Sequence, residues 1–328
     1  MKRILLNAFT ILVILYGIFW VLDEIFTSTF QAGNYTKTQW LYKMQDQEFD
    51  YAIHGSSRAY TTINIEEIEN ETNLRGINIS VDGSNITDQY LMLKLFLEHN
   101  NKIDHLYLQV DPWSANDEYV QRFSIPKFFP YIKEKAVFDH FKTFGADWYA
   151  YRYIPFYRYA RYNTIWGVHQ FFNDAFNLVP QDFDKHGGYF YNSVAYTGDS
   201  LKLRKLAFKL DGEYKYLNQI IALCHENNIR LTLFTSPVSD ILIDEDYKHN
   251  VAAFTSMMRE QGVEYVNYGD IYGNEIKMFT DAIHLNKYGV KDFTQRIKAD
   301  LLGGATENAK LTLNKIPAGA STDKPSAL

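Results

Sequence analysis

Two short segments of this chain carry residue types that could do chemistry together. Gly55-Ser56-Ser57-Arg58 puts a serine in a tight turn directly after a short apolar run, and Asp281-Ala282-Ile283-His284 puts a carboxylate three residues before an imidazole. A serine hydroxyl is a poor nucleophile unless a base removes its proton as it attacks. Histidine suits that task because its unperturbed pKa, about 6.5, lies near working pH. The imidazole then needs a carboxylate on its other nitrogen to fix its tautomer and support its charge. Ser57 is the candidate nucleophile, His284 the candidate base and Asp281 its orienting group. The competing readings are a turn serine and a helix-entry cap, the latter with Asn286 nearby.

The elements around these residues decide whether they can meet. Phe49–His54 reads as a strand ending at Gly55, and Ile65–Glu71 as a helix capped by Asn64. Gly76–Ser80 is a second strand, and Asp82-Gly83-Ser84 a turn. A helix with a broad apolar face follows, and then a strand at His105–Val110 stopped by Asp111-Pro112. The rhythm resumes with helices at Tyr214–Asn227 and His249–Gln261, strands at Ile229–Thr235 and Val263–Tyr268, and a closing helix at Tyr288–Leu302. Strands alternating with helices imply parallel βαβ units, so an α/β fold is expected. A serine at a strand end is then well exposed, since ligands bind outside the carboxyl ends of parallel strands.

Residues 114–200 break the rhythm. They are dense in aromatics and arginines, as in Tyr149-Ala150-Tyr151-Arg152-Tyr153-Ile154-Pro155-Phe156-Tyr157-Arg158-Tyr159, and are expected to form one helical insertion. The insertion admits three readings: a packed cap, a sugar-binding groove with Trp148, Tyr151 and Tyr157 as candidates, or a contact with the membrane or a membrane partner. The tail, residues 303–328, is rich in Thr, Asn, Gly, Pro and Ser and is expected to be disordered.

At the other end, Lys2 and Arg3 precede an apolar stretch from Ile4 to Leu22. At ~1.5 Å per residue it reaches about 28 Å, close to the ~30 Å hydrocarbon core of a bilayer. Trp20 fits an interfacial anchor, and Asp23 and Glu24 close the segment. Basic residues before it and acidic ones after it put the N-terminus in the cytoplasm and the remainder outside. A cleaved signal peptide is the rival, but no small-x-small cleavage pattern stands near Leu22. The expected organisation is an anchor over 1–24, a stalk over 25–48 and an α/β domain over 49–302.

A net charge of −6 gives no support to nucleic-acid binding, which wants a clustered basic face. The one cysteine, Cys224, sits in an apolar helical stripe and reads as a small buried hydrophobe. His99, His105, His140, His169, His186, His225 and His249 show no metal-ligand spacing, and no Gly-rich phosphate cradle is present, so neither metal nor cofactor is expected. His54 and Asp82 border the candidate site and read as structural. Arg58 could clamp an anion or be a solvated helix-start residue, and Asp111 could line a pocket.

The Gly55–Arg58 segment resembles the first block of the SGNH (GDSL-type) hydrolases, with Ser57 at the nucleophile position. Asp281–His284 is similar to their last block, D-x-x-H, and Asn78-Ile79-Ser80-Val81-Asp82-Gly83 to their second. The resemblance covers Phe49–Asp111 and Arg230–Leu301. It implies a flavodoxin-like three-layer domain and an oxyanion hole built from the backbone N–H groups of Ser57 and Gly83. The family's third block, G-x-N-D, supplies an asparagine to that hole. Here the strand runs into Val110-Asp111-Pro112-Trp113, and Asn116 is the available substitute. Loss of one such donor costs ~10²–10³ in rate.

The membrane anchor, the G-S-S-R turn and the large insertion further resemble the anchored SGNH proteins of cell-envelope acylation, namely the alginate O-acetylation and teichoic-acid D-alanylation proteins. That resemblance implies an O-acyltransferase acting on an exported or envelope polysaccharide, served by a multi-pass membrane acyltransferase. The alternatives are a polysaccharide esterase of the same fold and a non-catalytic carbohydrate-binding or scaffold subunit.

Overall fold

The computed structural model describes residues 1–116, 118–120, 124–162, 167–181, 183–189 and 212–312. The rest of the expected insertion and the tail from 313 to 328 lie outside the described residues. A parallel sheet of five strands forms the centre: β1 Glu48–His54, β2 Gly76–Asn78, β3 Lys102–Gln109, β4 Arg230–Thr235 and β5 Glu264–Asn267. Their spatial order is β2-β1-β3-β4-β5, the flavodoxin-like order of a doubly wound α/β fold. The chain steps outward from β1 to β2, then returns to place β3 on the other side of β1. The crevice where that direction reverses lies between the carboxyl ends of β1 and β3, at Gly55 and Val110.

Helices cover both faces. On one face, α4 (Ile65–Thr72) and the last helix, α12 (Lys287–Thr312), pack Ile65, Ile68, Phe293 and Ile297 against Tyr51, Ile53, Tyr107 and Phe234. On the other, α5 (Ile86–Glu98), α10 (Lys215–Glu226) and α11 (Glu245–Glu260) bury Leu91, Leu217 and Phe254 against Ala52, Leu106 and Leu233. Ala52 and Ile53, adjacent on β1, therefore serve opposite cores. Strands covered on both faces read as apolar runs rather than as alternation. Between Ser56 and Thr61 runs the one-turn helix α3 (Ser57–Tyr60).

The insertion does not form a separate unit. Its short helices α6 (Lys135–Phe141), α7 (Asp147–Tyr153) and α8 (Tyr157–Arg161) contribute Phe141, Trp148, Tyr151 and Tyr159 to the same core as Leu91 and Leu106, and α9 (Val168–Phe176) packs Phe171 against it. Each such ring removed from water contributes about 1.5–3 kcal/mol.

Two boundaries differ from the sequence expectation. Residues 25–48 are no stalk: α1 runs from Lys2 to Ala32, and α2 (Lys37–Lys43) follows directly. Phe30, Gln39 and Leu41 are buried. The segment's polar groups are satisfied inside the domain, with Gln39 Nε2 donating to the Phe30 carbonyl at 2.6 Å and to Asp174 Oδ2 at 2.9 Å. The second difference is at the C-terminus, where α12 runs on to Thr312 instead of stopping at Leu302. The residues after Gly303-Gly304 (Ala305, Glu307, Ala309, Lys310 and Leu311) are good helix formers and carry the helix across the pair.

Candidate functional site

The Ser57 turn is shaped by the residues on either side of it. β1 ends at Gly55, where an added Cβ would fall 2.7 Å from the Gln109 Cβ and 2.9 Å from the Ala59 Cβ. Only a residue without a side chain lets β1 pass this close to β3 and turn at once into α3. Ser56 caps the turn, accepting from the Arg58 N–H at 3.3 Å, and its hydroxyl donates to Gln109 Oε1 at 2.8 Å. Ser57 is the first residue of α3, and its Oγ lies 2.9 Å from His284 Nε2.

His284 is held from the opposite side. Its Nδ1 is 2.8 Å from Asp281 Oδ2, while Asp281 Oδ1 accepts the backbone N–H groups of Ile283 and His284, each at 2.9 Å. Partial burial pushes the Asp281 carboxyl up. The hydrogen bonds and charge of His284 and the two backbone donors outweigh burial, so the group sits below the usual carboxylate range. The loop is pinched at its base, where Phe279 bridges Leu285 and Thr280 N–H donates to the His284 carbonyl at 2.9 Å. Asn286 caps α12, its Oδ1 accepting from Tyr288 N–H at 2.9 Å and its Nδ2 donating to Lys277 and Phe279 carbonyls. That division of labour leaves Asp281 and His284 free of the capping role the sequence also allowed.

Behind the nucleophile, Arg58 is neither an anion clamp nor a solvated residue. Its guanidinium pairs with Asp111 in a contact almost closed to water, donates to the Ser236 carbonyl, and lies 5.4 Å from the Trp113 ring centre. Burial pushes the Asp111 carboxyl up, against the downward pull of Arg58, Gln109 and the neighbouring His284. The pair ties the ends of three elements together, since Arg58 follows β1, Asp111 follows β3 and Ser236 follows β4. Ser239 N–H, farther along the β4 loop, donates to the Ala282 carbonyl at 2.9 Å and so fixes the Asp-His loop to the same edge.

Beside Ser56 opens a cavity of about 130 Å³, lined by Ser56, Ser84, Gln89, Gln109, Asp111 and Ser114 among others. Asp111 is thus the pocket-lining group the sequence allowed. The space is large enough for several waters. Gly83 stands in a left-handed turn, φ 62°, and the adjacent Ser84 Oγ donates to the Gly55 carbonyl at 3.2 Å, linking the two turns. A larger cavity, about 630 Å³, opens at the other end of the sheet, lined by Trp40, Lys43, Phe49 and Arg75. It contains no member of the Ser-His-Asp set and has no part in that chemistry.

Several sequence candidates fall elsewhere. Asn116 turns its side chain toward Gly212, where an added Cβ would lie 2.6 Å from Asn116 Nδ2; Ser114 and Ala115 line the cavity in its place. Trp148 and Tyr151 are buried, Trp148 stacked on Phe141 at 4.2 Å, so they are core rather than a sugar groove. Tyr157 stacks on Tyr151 at 5.8 Å, within the insertion. His54 is fully buried, its Nε2 2.8 Å from the Gln89 carbonyl, and burial lowers its pKa to about 4. Asp82 is exposed and paired with Lys127 at 3.2 Å. Among the described residues no group of three or more His, Cys, Asp or Glu is placed to hold a metal. Sequence reasoning missed Gln109, Ser236 and Trp113. Each follows or ends a strand at the carboxyl edge of the sheet, and that placement is the signal that could have found them.

No protein-family model matches the chain, and no curated protein sequence matches it. Solved structures are similar to it over most of their length, and two serve as examples. One is a Bacteroides fragilis protein provisionally assigned as an acylhydrolase, 10% identical, covering 81% of this chain and 94% of its own, with a TM-score of 0.37. The other is a Streptococcus pneumonia protein provisionally assigned as a platelet activating factor, 13% identical, covering 89% and 99%, with a TM-score of 0.39. At such values the fold stands on the strand order, and the site on the hydrogen-bond geometry.

Proposed function

We propose that this chain is a serine-dependent acyl-handling enzyme, and specifically an O-acyltransferase that sets an acyl group, acetyl first, on a hydroxyl of an exported or envelope polysaccharide. The observation that carries the reading is the unbroken chain from Asp281 through His284 to Ser57 at the switch point of the sheet. In the first half-reaction Ser57 Oγ attacks the carbonyl carbon of the acyl donor and its proton passes to His284 Nε2. Asp281 holds the imidazole by Nδ1 and stabilises the imidazolium. The backbone N–H groups of Ser57 and Gly83 are the proposed donors to the oxyanion. Collapse of the tetrahedral species breaks the bond to the donor's leaving group, which takes the proton from His284. In the second half-reaction His284 removes the proton of a sugar hydroxyl, the sugar oxygen attacks the acyl-Ser57 ester, and Ser57 leaves with that proton.

Transfer to a polymer outside the membrane is supported by the motif resemblance taken with the apolar helix α1, whose Ile4–Leu22 stretch is long enough to span a bilayer. A multi-pass membrane acyltransferase is the proposed source of the acyl group. In cells, Ser57→Ala is expected to abolish O-acetylation of the polysaccharide; unchanged acetyl content would sink the proposal. With the purified full chain and a chromogenic acetyl ester, free acetate released without any acceptor sugar would assign the protein as an esterase. Absence of Ser57 labelling by a serine-directed phosphonate would assign a non-catalytic role.

A further inference from the structure

Helix α9 is built inside out. Its inward face is polar: Gln170, Asn173 and Asp174 are buried, with Asp174 Oδ2 accepting from Gln39 at 2.9 Å and Asp174 Oδ1 from Gln170 at 3.3 Å. Its outward stripe, four residues apart, is apolar: Val168 is 58% exposed, Phe172 47% and Phe176 65%. A water-facing helix shows the reverse arrangement. Phe172 and Phe176 stack at 5.9 Å, and the exposed Leu178 follows them. At the end of α7, Tyr153 and Ile154 are two more exposed apolar groups. Exposed apolar surface of this kind marks a contact with something other than water.

The contact is indicated by where the patch lies along α1. Phe171, on the inner edge of α9, stacks on Phe26 at 4.4 Å, and Phe156 stacks on Phe19 at 6.3 Å. The Phe156 N–H donates to Asp23 Oδ1 at 2.9 Å. Phe19 belongs to the apolar stretch itself, and Phe26 stands four residues beyond its end at Leu22, about 6 Å farther along the axis. If the stretch fills the hydrocarbon core, this part of the insertion sits at headgroup level, where amphipathic helices bury their apolar faces about 5–10 Å into the boundary. The α1 helix cannot pivot away, because Arg158 bonds Asp23 at 2.9 Å and Thr27 at 2.8 Å in a buried network.

We infer that the outward faces of α9 and of the Tyr153-Ile154 turn form a seat that lies in the lipid interface around the exit of α1, fixing the orientation of the domain on the bilayer. The inference rests on the reading of α1 as a membrane span, and its occupant is the phospholipid surface, not a protein. The buried Cys224, its thiol pushed up to about 12 by burial, leaves the full chain open to site-directed labelling. Spin labels at Phe172→Cys, Phe176→Cys, Ile14→Cys and the remote, exposed Ile241→Cys would be compared in nanodiscs of phosphatidylethanolamine and phosphatidylglycerol holding one copy each. Labels at 172 and 176 are expected to gain oxygen accessibility and lose accessibility to an aqueous nickel chelate relative to 241. Positions 172 and 176 matching 241 while 14 reads lipid would overturn the seat and leave the anchor standing. Water at 14 as well would overturn the anchor and the seat together. Labels that become shielded only when a second copy or a membrane protein shares the disc would show a protein interface and overturn the proposal.

Discussion

Arg58 and Asp111 form an ion pair almost shut off from water, one residue behind the serine that meets His284. Neither charge could be buried alone, since desolvation of an isolated ion costs several kcal/mol. Arg58→Ala should therefore destabilise the protein by about 3–5 kcal/mol, because it strands the Asp111 carboxylate. The double variant Arg58→Met/Asp111→Leu should lose far less, since it removes both charges and fills similar volume. Denaturant unfolding of the full chain in detergent measures the difference. Equal losses in the single and double variants would show that the pair's role is in shape rather than charge.

Asp281 spends its hydrogen bonds on His284 and its own loop, so its effect should appear in rate more than in stability. Asp281→Asn keeps the volume but replaces the charge that supports the imidazolium, and in Ser-His-Asp sites that exchange costs on the order of 10⁴-fold. The rate of Ser57 labelling by a serine-directed phosphonate is the readout. A variant that labels at the unsubstituted rate would remove Asp281 from the mechanism.

The strands and the Asp281–His284 pair were legible because each is local or periodic. Tyr51–His54 is a buried run that stops at a glycine, and Asp281 and His284 meet each other within one loop. The stalk reading failed at Gln39, whose polarity suggested solvent. Its partners are Asp174, far along the chain, and the Phe30 carbonyl at the end of α1, and nothing in local composition announces either bond. Trp148 and Tyr151 failed similarly: an aromatic available for stacking on a sugar is equally available for stacking on Phe141 or Phe129. Asp23 was legible as the end of the apolar stretch but not as the partner of Arg158, because that contact spans the insertion.

That contact makes its own prediction. Arg158 donates to Asp23, Thr27 and the Tyr151 carbonyl, three acceptors in the directions of a planar guanidinium. Arg158→Lys supplies one compact charge and cannot reach all three, so it should restore little of the loss in Arg158→Ala, about 3–5 kcal/mol. Hydrogen exchange should show the change first in Asp23–Ala32 and in α9, whose packing depends on that end of α1. Protection unchanged there would place the rigidity of α1 elsewhere.

Acid sensitivity should begin well above the carboxylate range, because three histidines are held uncharged in the fold. Burial lowers His54 to about 4, burial with the nearby Arg230 charge lowers His105 to about 3, and burial with the Lys94 and Lys215 charges lowers His140 to about 3. The unfolded chain takes up these protons first, near pH 6.5, while the folded protein resists until its lower values. None of the three affects stability above about pH 6.5. Below it, each removes about 1.4 kcal/mol per pH unit until its folded pKa is reached. His54 bonds the Gln89 carbonyl and His105 the Thr232 hydroxyl, each at 2.8 Å. The Tm of the full chain in detergent should therefore be level from pH 8 to 7 and fall steadily from about 6.5 to 4.5. His54→Asn should shallow that fall, whereas a Tm flat to pH 4.5 would mean that the buried imidazoles gain a compensating partner on protonation.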